Sequence, residues 1–569
     1  MNTSKKTAVI IFVGLFLGTM FTSVAQIGHG GLPYSFKKSN ILSEVATELL
    51  PYRDNNALLE AEIAVTSKQE GFVFGKEIAV NYHLENSGAW ENLPDGGRLW
   101  RLGIASIGAV SLNLLFDSFY IPPHSHLFIY TEDRSFIMGK FTEANNNQWG
   151  NFATSLFPSD EIVLEYYESP QDYGKGIIQV STVVHGYKDF LFRKGSYGTE
   201  NGKCHIDANC EEGNKYPNAK RAVAVMVRGG RGFCTGTLLN NTAQDGKPYF
   251  LTAFHCLDAN MNRKLEPSEI NSIENSVFVF NYESTDCNQN TEKQHYSING
   301  CVLLATDSFS DFALLLLNDK PTKDFNAYYA GWDSRNIAVT GAFCFHHPMG
   351  DMKKFSKNNK LLDSSKFEED DSYPNNTHWK VTTWDMGSTE GGSSGSALFN
   401  DLQQVIGQLE GGTAKCSGTK PDNGFDLYGK FSYSWTNGNN PKISARLDYW
   451  LDSLKTGQVA IQGYDPHKKT NAVNGFEQIT NDISLFPNPA NDKLRIEMSD
   501  IRYSISDIRL YDVLGREAPF NSPEGGKLPS FGGAGGGLII DISHLPAGIY
   551  IMEIQTEKCV VHKKLCVQR

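Results

Sequence analysis

Through most of this chain the hydrophobic residues come in short runs or in strict alternation with polar ones, each closed by Asn, Asp, Gly or Pro. That rhythm predicts β-strands rather than helices. Trp100–Ile104, Ser111–Leu115, Leu127–Tyr130 and Glu161–Tyr166 are four such runs. Their spacing predicts a jelly-roll-like β-sandwich of about 100 residues, lying at about 90–190. Residues 26 to about 90 show no strong periodicity, and Glu48–Pro51 reads as a short amphipathic turn. Further strands are predicted at Ala222–Val227, Gly232–Leu239, Pro248–Cys256, Ser310–Leu317, Val405–Gly412 and Asp426–Gly429, with a short closing helix at Arg446–Leu451. Residues 466–483 are polar and read as a linker. Residues 484–569 form another small β domain, with alternation at Leu494–Met498 and a glycine-rich loop over 525–537.

Composition sharpens this picture. A chain of 569 residues, 40% hydrophobic and carrying 53 glycines, exceeds one core and predicts an all-β protein of several domains. A net charge of −12, with no basic block, argues against nucleic acid as the partner. At the N-terminus, Lys5 and Lys6 precede an apolar run from Ala8 to Phe21 and the small-residue exit Ser23-Val24-Ala25. This is the pattern of a signal peptide over 1–25, cut after Ala25. No other stretch is long enough to anchor the chain in a bilayer. In an exported chain the ten cysteines favour disulfides over metal binding or thiol chemistry. Phe192-Arg193-Lys194-Gly195, followed by Gly-, Ser- and Asn-rich sequence, predicts processing after Lys194, so residues 26–194 read as a propeptide and 195–465 as the mature domain.

The candidate chemistry lies in that mature domain. Glu390-Gly-Gly-Ser-Ser-Gly-Ser396 sets a serine among glycines, which exposes a hydroxyl and lets a substrate carbonyl approach closely. Ser394 is the candidate nucleophile, and the amides of Gly392 and Ser394 are the candidate oxyanion hole. A serine hydroxyl needs a base, and the base needs a partner that orients it. His255, within Thr-Ala-Phe-His-Cys, and Asp311, within Ser-Asp-Phe-Ala-Leu, supply both types beside β-runs. The adjacent pair His346-His347 does not read as a metal site, because neighbours on a strand face opposite ways. No metal or organic cofactor is expected.

Taken with Tyr249–Cys256, Ser310–Leu315, Ala330–Asp333, His346–Pro348, Gly391–Ser396, Gly407–Leu409 and Tyr428-Gly429, the region 199–463 resembles the chymotrypsin-fold serine proteases, and among them the bacterial lysyl endopeptidases. The resemblance implies two six-stranded β-barrels with Ser394, His255 and Asp311 in the cleft between them. It implies the bridges Cys204–Cys416, Cys210–Cys287 and Cys234–Cys256, with Cys301 and Cys344 available for a fourth and Cys559 and Cys566 for a separate pair in the tail. It implies that Asp426 selects a basic side chain from the base of the primary pocket, with Gly411 and Gly412 as its wall. Two departures stand out: Glu410 occupies the place of a histidine in those enzymes, and the tryptophan that stacks on that histidine has no counterpart in the polar stretch 362–376. Glu410 would add negative charge near the pocket and admit arginine. Ser393 stands where digestive relatives carry an aspartate that receives a new N-terminal ammonium, so maturation is expected to proceed without that insertion, the propeptide acting as folding aid and steric cover.

The tail resembles the type A sorting domain of the type IX secretion system, through Phe486–Pro489, Tyr511–Gly515, Leu545–Tyr550 and the Lys-rich end Lys558–Lys564. That implies an Ig-like β-sandwich and passage across an outer membrane. The expectation is a secreted, monomeric zymogen of a serine endopeptidase cleaving after Lys, with Arg as the second candidate. The alternative is a catalytically silent surface adhesin built on the same β-domains.

Overall fold

The computed structural model describes residues 25–26, 30–37, 44–63, 72–188, 203–229, 232–288, 291–367, 373–467, 483–498, 505–512, 518, 537–556 and 560–569. The predicted signal peptide before Ala25, the cleavage residue Lys194, the linker over 468–482 and Cys559 therefore lie outside the described residues. Two compact units divide the chain at Pro466 and His467.

The first unit opens with the predicted sandwich. One sheet runs Phe152–Ala153, Ser111–Tyr120, Ile177–Gly186, Gly75–His83; the other runs Thr47–Leu49, Arg98–Ala105, Glu161–Glu168, His126–Thr131, Ile137–Phe141. Alternation explains the packing: Trp100, Leu102 and Ile104 face inward with Leu112, Leu114, Phe116, Ile162 and Leu164, all fully buried. The sandwich begins earlier than the sequence reading places it. Gly75–His83 is an edge strand whose mixed polar pattern hid it, and Thr47–Leu49 is a strand of three residues rather than a turn.

Two barrels follow. The first has the order Tyr296–Asn299, Val277–Phe280, Val223–Arg228, Gly232–Leu239, Tyr249–Ala253, Phe312–Leu317, Cys301–Asp307. Its two end strands are separated in sequence only by Gly300, so one bent strand closes the sheet into six staves. Gly300 adopts φ +74, and a Cβ there would strike the Asn318 side chain, so glycine alone fits the corner. The second barrel repeats the device. Its order is Lys354–Leu361, Thr340–His346, Ala397–Phe399, Gln404–Gly412, Asp426–Lys430, His378–Val381, Asp363–Ser365, and Leu362 joins the two ends. Near-continuous apolar runs such as Phe312–Leu317 arise because these strands are covered on both faces.

Disulfides join Cys204 to Cys416, Cys210 to Cys287 and Cys234 to Cys256. The fourth bridge does not form: Cys301 lies on a strand of the first barrel, its thiol donating to the Ile273 carbonyl at 3.2 Å, whereas Cys344 is buried in the second. The expected closing helix is one turn, Asp448–Leu451.

The second unit is a small sandwich of two three-stranded sheets, Ile483–Phe486, Lys493–Met498, Gly537–Asp541 and Ile505–Asp512, Gly548–Thr556, Val560–Val567. Leu494, Ile496, Leu510, Met552, Ile554 and Leu565 give it a core of its own.

Candidate active site

His255 sits just past the strand Tyr249–Ala253, where the chain turns away from the sheet. Asp311 precedes the neighbouring strand Phe312–Leu317, so strand pairing brings the two together. Asp311 is buried and held at φ +54, a left-handed conformation that an aspartate tolerates at a cost of order 1–3 kcal/mol. That conformation aims both carboxylate oxygens at one residue. Oδ1 accepts from the His255 backbone N–H at 2.9 Å and Oδ2 lies 2.8 Å from Nδ1. A carboxylate can only accept, so the imidazole proton sits on Nδ1 and Nε2 keeps its lone pair free to accept a proton. Nε2 is buried and makes no hydrogen bond among the described residues.

The second barrel braces this pair from behind. Gln408 Nε2 donates to the Ser310 carbonyl at 2.7 Å, and Ser434 Oγ lies 3.0 Å from Ser310 Oγ. Gly429 presses so closely on the same carbonyl that any side chain there would collide with it.

The serine loop is held at nearly every residue. Ser356 Oγ donates to the Ser388 carbonyl at 3.2 Å, and Thr389 Oγ1 donates to Asp426. Glu390 Oε2 accepts from His205 Nε2 at 3.1 Å. Thr235 uses both groups, its Oγ1 donating to the Gly392 carbonyl at 2.9 Å and its N–H to the Ser394 carbonyl at 2.8 Å. Gly395 N–H donates to Leu409 O and Leu409 N–H to Ser396 O, which ties the loop to the second barrel. Gly392 and Gly395 have φ of +89 and +80, conformations that require glycine. Gly395 also rests on Thr252 and Ala253, two residues before His255, so the serine loop and the histidine are fastened to the same strand. The Gly392 N–H donates to no group of the described chain.

Ser393 is buried and takes part in a relay. Its Oγ accepts from the Glu390 N–H and lies 2.8 Å from His346 Nδ1, while His346 Nε2 lies 3.0 Å from Ser356 Oγ. Since Ser356 donates onward to Ser388 O, His346 donates through Nε2 and accepts the Ser393 proton on Nδ1. Its neighbour His347 faces the other way, stacked on Tyr282, with burial lowering its pKa to about 3. Sequence reasoning missed the role of His346 because its partners lie 10 and 47 residues away.

Asp426 is fully buried, and its Oδ2 accepts from Trp384 Nε1 at 2.7 Å and Thr389 Oγ1 at 2.5 Å. Gly412 lies against it: a Cβ there would meet both the Phe425 carbonyl and Asp426 Oδ1. A Cβ on Gly411 would make only an ordinary contact with the Phe367 ring, at 3.9 Å. Glu410 does not stand as a lone charge. Its Oε2 lies 2.6 Å from Nε2 of buried His378, whose Nδ1 is 2.8 Å from Thr377 Oγ1. Burial, with lesser contributions from Lys430 and Arg263, lowers His378 to about 3, so a neutral ring donates to Glu410. A histidine thus reaches Glu410 from the next strand but one, across Asp426–Lys430, with the Phe367 ring 6.0 Å from it. Glu410 also lines a cleft with His255, Asp258, Arg263, Ser308 and Asp311.

Comparison with known proteins gives the class: this is a serine endopeptidase. Residues 199–429 match the family described as lysyl endopeptidase, C-terminal domain, and residues 484–568 match the secretion system C-terminal sorting domain. The protease region is therefore similar to the lysyl endopeptidases, and the sorting tail marks the chain for export across the outer membrane to the surface or the medium. A lysyl endopeptidase of Pseudomonas aeruginosa is 29% identical over 369 residues, covering 60% of this chain and 75% of that one. Among solved structures, the inactive form of the Rv3671c protease of M. tuberculosis is 13% identical, covering 40% of this chain and 91% of that one, with a TM-score of 0.25. Deg5 is 12% identical, covering 38% and 87%, with a TM-score of 0.23. No helix among the described residues is long and apolar enough to cross a membrane.

Proposed function

We propose that the protein hydrolyses peptide bonds after lysine through an acyl-enzyme, with Ser394 as nucleophile, His255 as base and then acid, and Asp311 as orienter. The His255–Asp311 pair carries this reading: it fixes the tautomer that leaves Nε2 able to take the serine proton. Attack on the carbonyl moves that proton to Nε2 and puts negative charge on the substrate oxygen. The Gly392 and Ser394 amides receive that charge, and the many bonds that hold the loop mean that little reorganisation is needed at that moment. Protonated His255 then gives its proton to the departing amine, and water repeats the sequence on the acyl-enzyme.

Lysine is favoured over arginine by the way Asp426 is already used. Trp384 and Thr389 both occupy Oδ2, so a planar guanidinium cannot span the two oxygens, whereas a compact ammonium needs only one contact. Glu410, bonded to His378, adds less pull on an arginine than an isolated carboxylate would. Digesting a denatured protein and sequencing the fragment ends tests this. Ends at lysine alone are expected; equal cleavage after arginine would refute the preference, and no cleavage, with Ser394 inert to an organophosphonate, would refute the mechanism.

A further inference from the structure

The strand Gly232–Leu239 has two edges. Val223–Arg228 covers one from Gly232 to Thr237, and Tyr249–Ala253 covers the other only from Thr237 to Leu239. Beyond that point the open edge at Gly232 and Phe233 is filled by the N-terminal domain. Phe72 and Val73 pair with it antiparallel, Val73 opposite Gly232 and Phe72 opposite Phe233. These two residues are the run-out of the sandwich edge strand Gly75–His83.

Three observations locate this added strand relative to the scissile bond. Phe72 packs on Phe233 with ring centroids 4.7 Å apart, and Phe233 also lies against Gly392, where a Cβ would strike its ring. Phe72, Val73 and His255 line one small cleft together with the Cys234–Cys256 bridge. The candidate pocket residues Asp426, Gly411 and Gly412 lie on strands of the second barrel that meet the serine loop through Leu409, whereas Phe72 and Val73 pair with a strand of the first. An extended peptide whose lysine enters the Asp426 pocket and whose carbonyl reaches Ser394 must continue, past the bond to be cut, onto the Phe233 edge.

We propose that Phe72–Val73 is a tethered blocker of the leaving-group side of the cleft, occupying by strand addition the place of the substrate residues that follow the cleaved bond. The blocker is anchored by more than its two residues. Phe72 and Phe74 share a buried cluster with Val225, Val227, Val277 and Val279, valines on the outer face of the first barrel. Lys188, the last described residue before the predicted processing segment, lies 4.3 Å above the Phe72 ring. The chain leading to the predicted processing segment therefore passes over the blocker at Lys188. This inference rests on the proposed protease reading and gives the propeptide's cover a position: it excludes the leaving side while the acyl side stays open.

The test uses the full chain, kept intact by Arg193→Gln and Lys194→Gln, beside the processed enzyme. Two substrates share the same acyl side ending in lysine; one carries a coumarin amide and the other four residues beyond the bond in an internally quenched peptide. The intact chain is expected to cleave the coumarin amide within about threefold of the processed enzyme and the long peptide at least about tenfold more slowly. Phe72→Ser should restore several-fold of the long-peptide rate without changing the coumarin rate, and Phe72→Leu should behave as the parent. Equal handling of both substrates by the intact chain, inactivity of the intact chain on both, or no response to Phe72→Ser would each overturn the proposal. If the processed enzyme cleaves neither substrate, the protease reading fails first and takes the blocker with it.

Discussion

At the scale of single residues, the site depends on groups that make one acceptor or donor available in one direction. Asp426 is the clearest case: a buried carboxylate that, on the proposed reading, receives the substrate lysine. Asp426→Asn should reduce kcat/KM on lysine substrates by roughly 2–5 kcal/mol, the usual loss when a buried charge is left unpaired, and should spare acylation by a small neutral ester. A comparable loss on both would mean that Asp426 supports the fold rather than the choice of substrate. Ser393 and His346 act one step removed, by holding the loop that carries the candidate oxyanion amides. His346→Ala should lower kcat by about tenfold or more with little change in KM, a smaller effect than the roughly 10²–10³ seen when an oxyanion donor itself is deleted. A matched rise in KM would show instead that the pocket had collapsed. Ser394, His255, Asp311 and Asp426 stand out as candidates in the sequence because each lies within a local run of characteristic neighbours. His378 and His346 do not, since their relevance comes from partners on other strands and a lone histidine carries no local signature.

At the scale of elements, the turn that carries His255 is stapled to the strand Gly232–Leu239 by Cys234–Cys256, closing a loop with a sequence separation of 22. Changing both cysteines to alanine should lower stability by about 3 kcal/mol, read as a shift in the denaturant midpoint, because a loop of that size adds its closure entropy to the unfolded chain. A second staple is ionic. Burial alone would raise the pKa of Glu283, but Lys353 and Lys293 outweigh it and bring the carboxyl down from 4.5 to about 2. A depressed carboxylate stabilises the fold fully above its unfolded pKa and loses that contribution as pH falls through the folded one. Stability should therefore decline from about pH 4.5 towards pH 2, and Glu283→Gln should flatten that limb while lowering stability at neutral pH by about 3–5 kcal/mol, because buried Lys353 is left uncompensated. An unchanged acid limb in the variant would assign the decline to other carboxylates. Strands such as Phe312–Leu317 were legible as unbroken apolar runs, whereas Gly75–His83 was not, because an edge strand with polar residues on one face resembles a loop.

At the scale of the whole molecule, the tail has its own core and its own two sheets. A chain ending at Pro466 should keep the melting temperature and peptide-cleaving rate of the protease unit and fail to leave the cell; lost activity in the purified truncation would show that the protease needs the tail to fold. The linear sequence determined what short-range chemistry can encode: an export signal, an all-β plan, the glycine-framed serine, and the order of histidine, aspartate and serine. Tertiary structure decided what depends on approach across the sheets. It closed each barrel through a single bent strand, set Glu410 against His378 rather than leaving it a free charge, kept Cys301 and Cys344 in separate barrels, and laid Phe72 on Phe233 beside His255. The physical reason is that strand pairing and burial join residues far apart in sequence, and the hydrophobic pattern specifies which face of a strand is buried without naming the partner that will cover it.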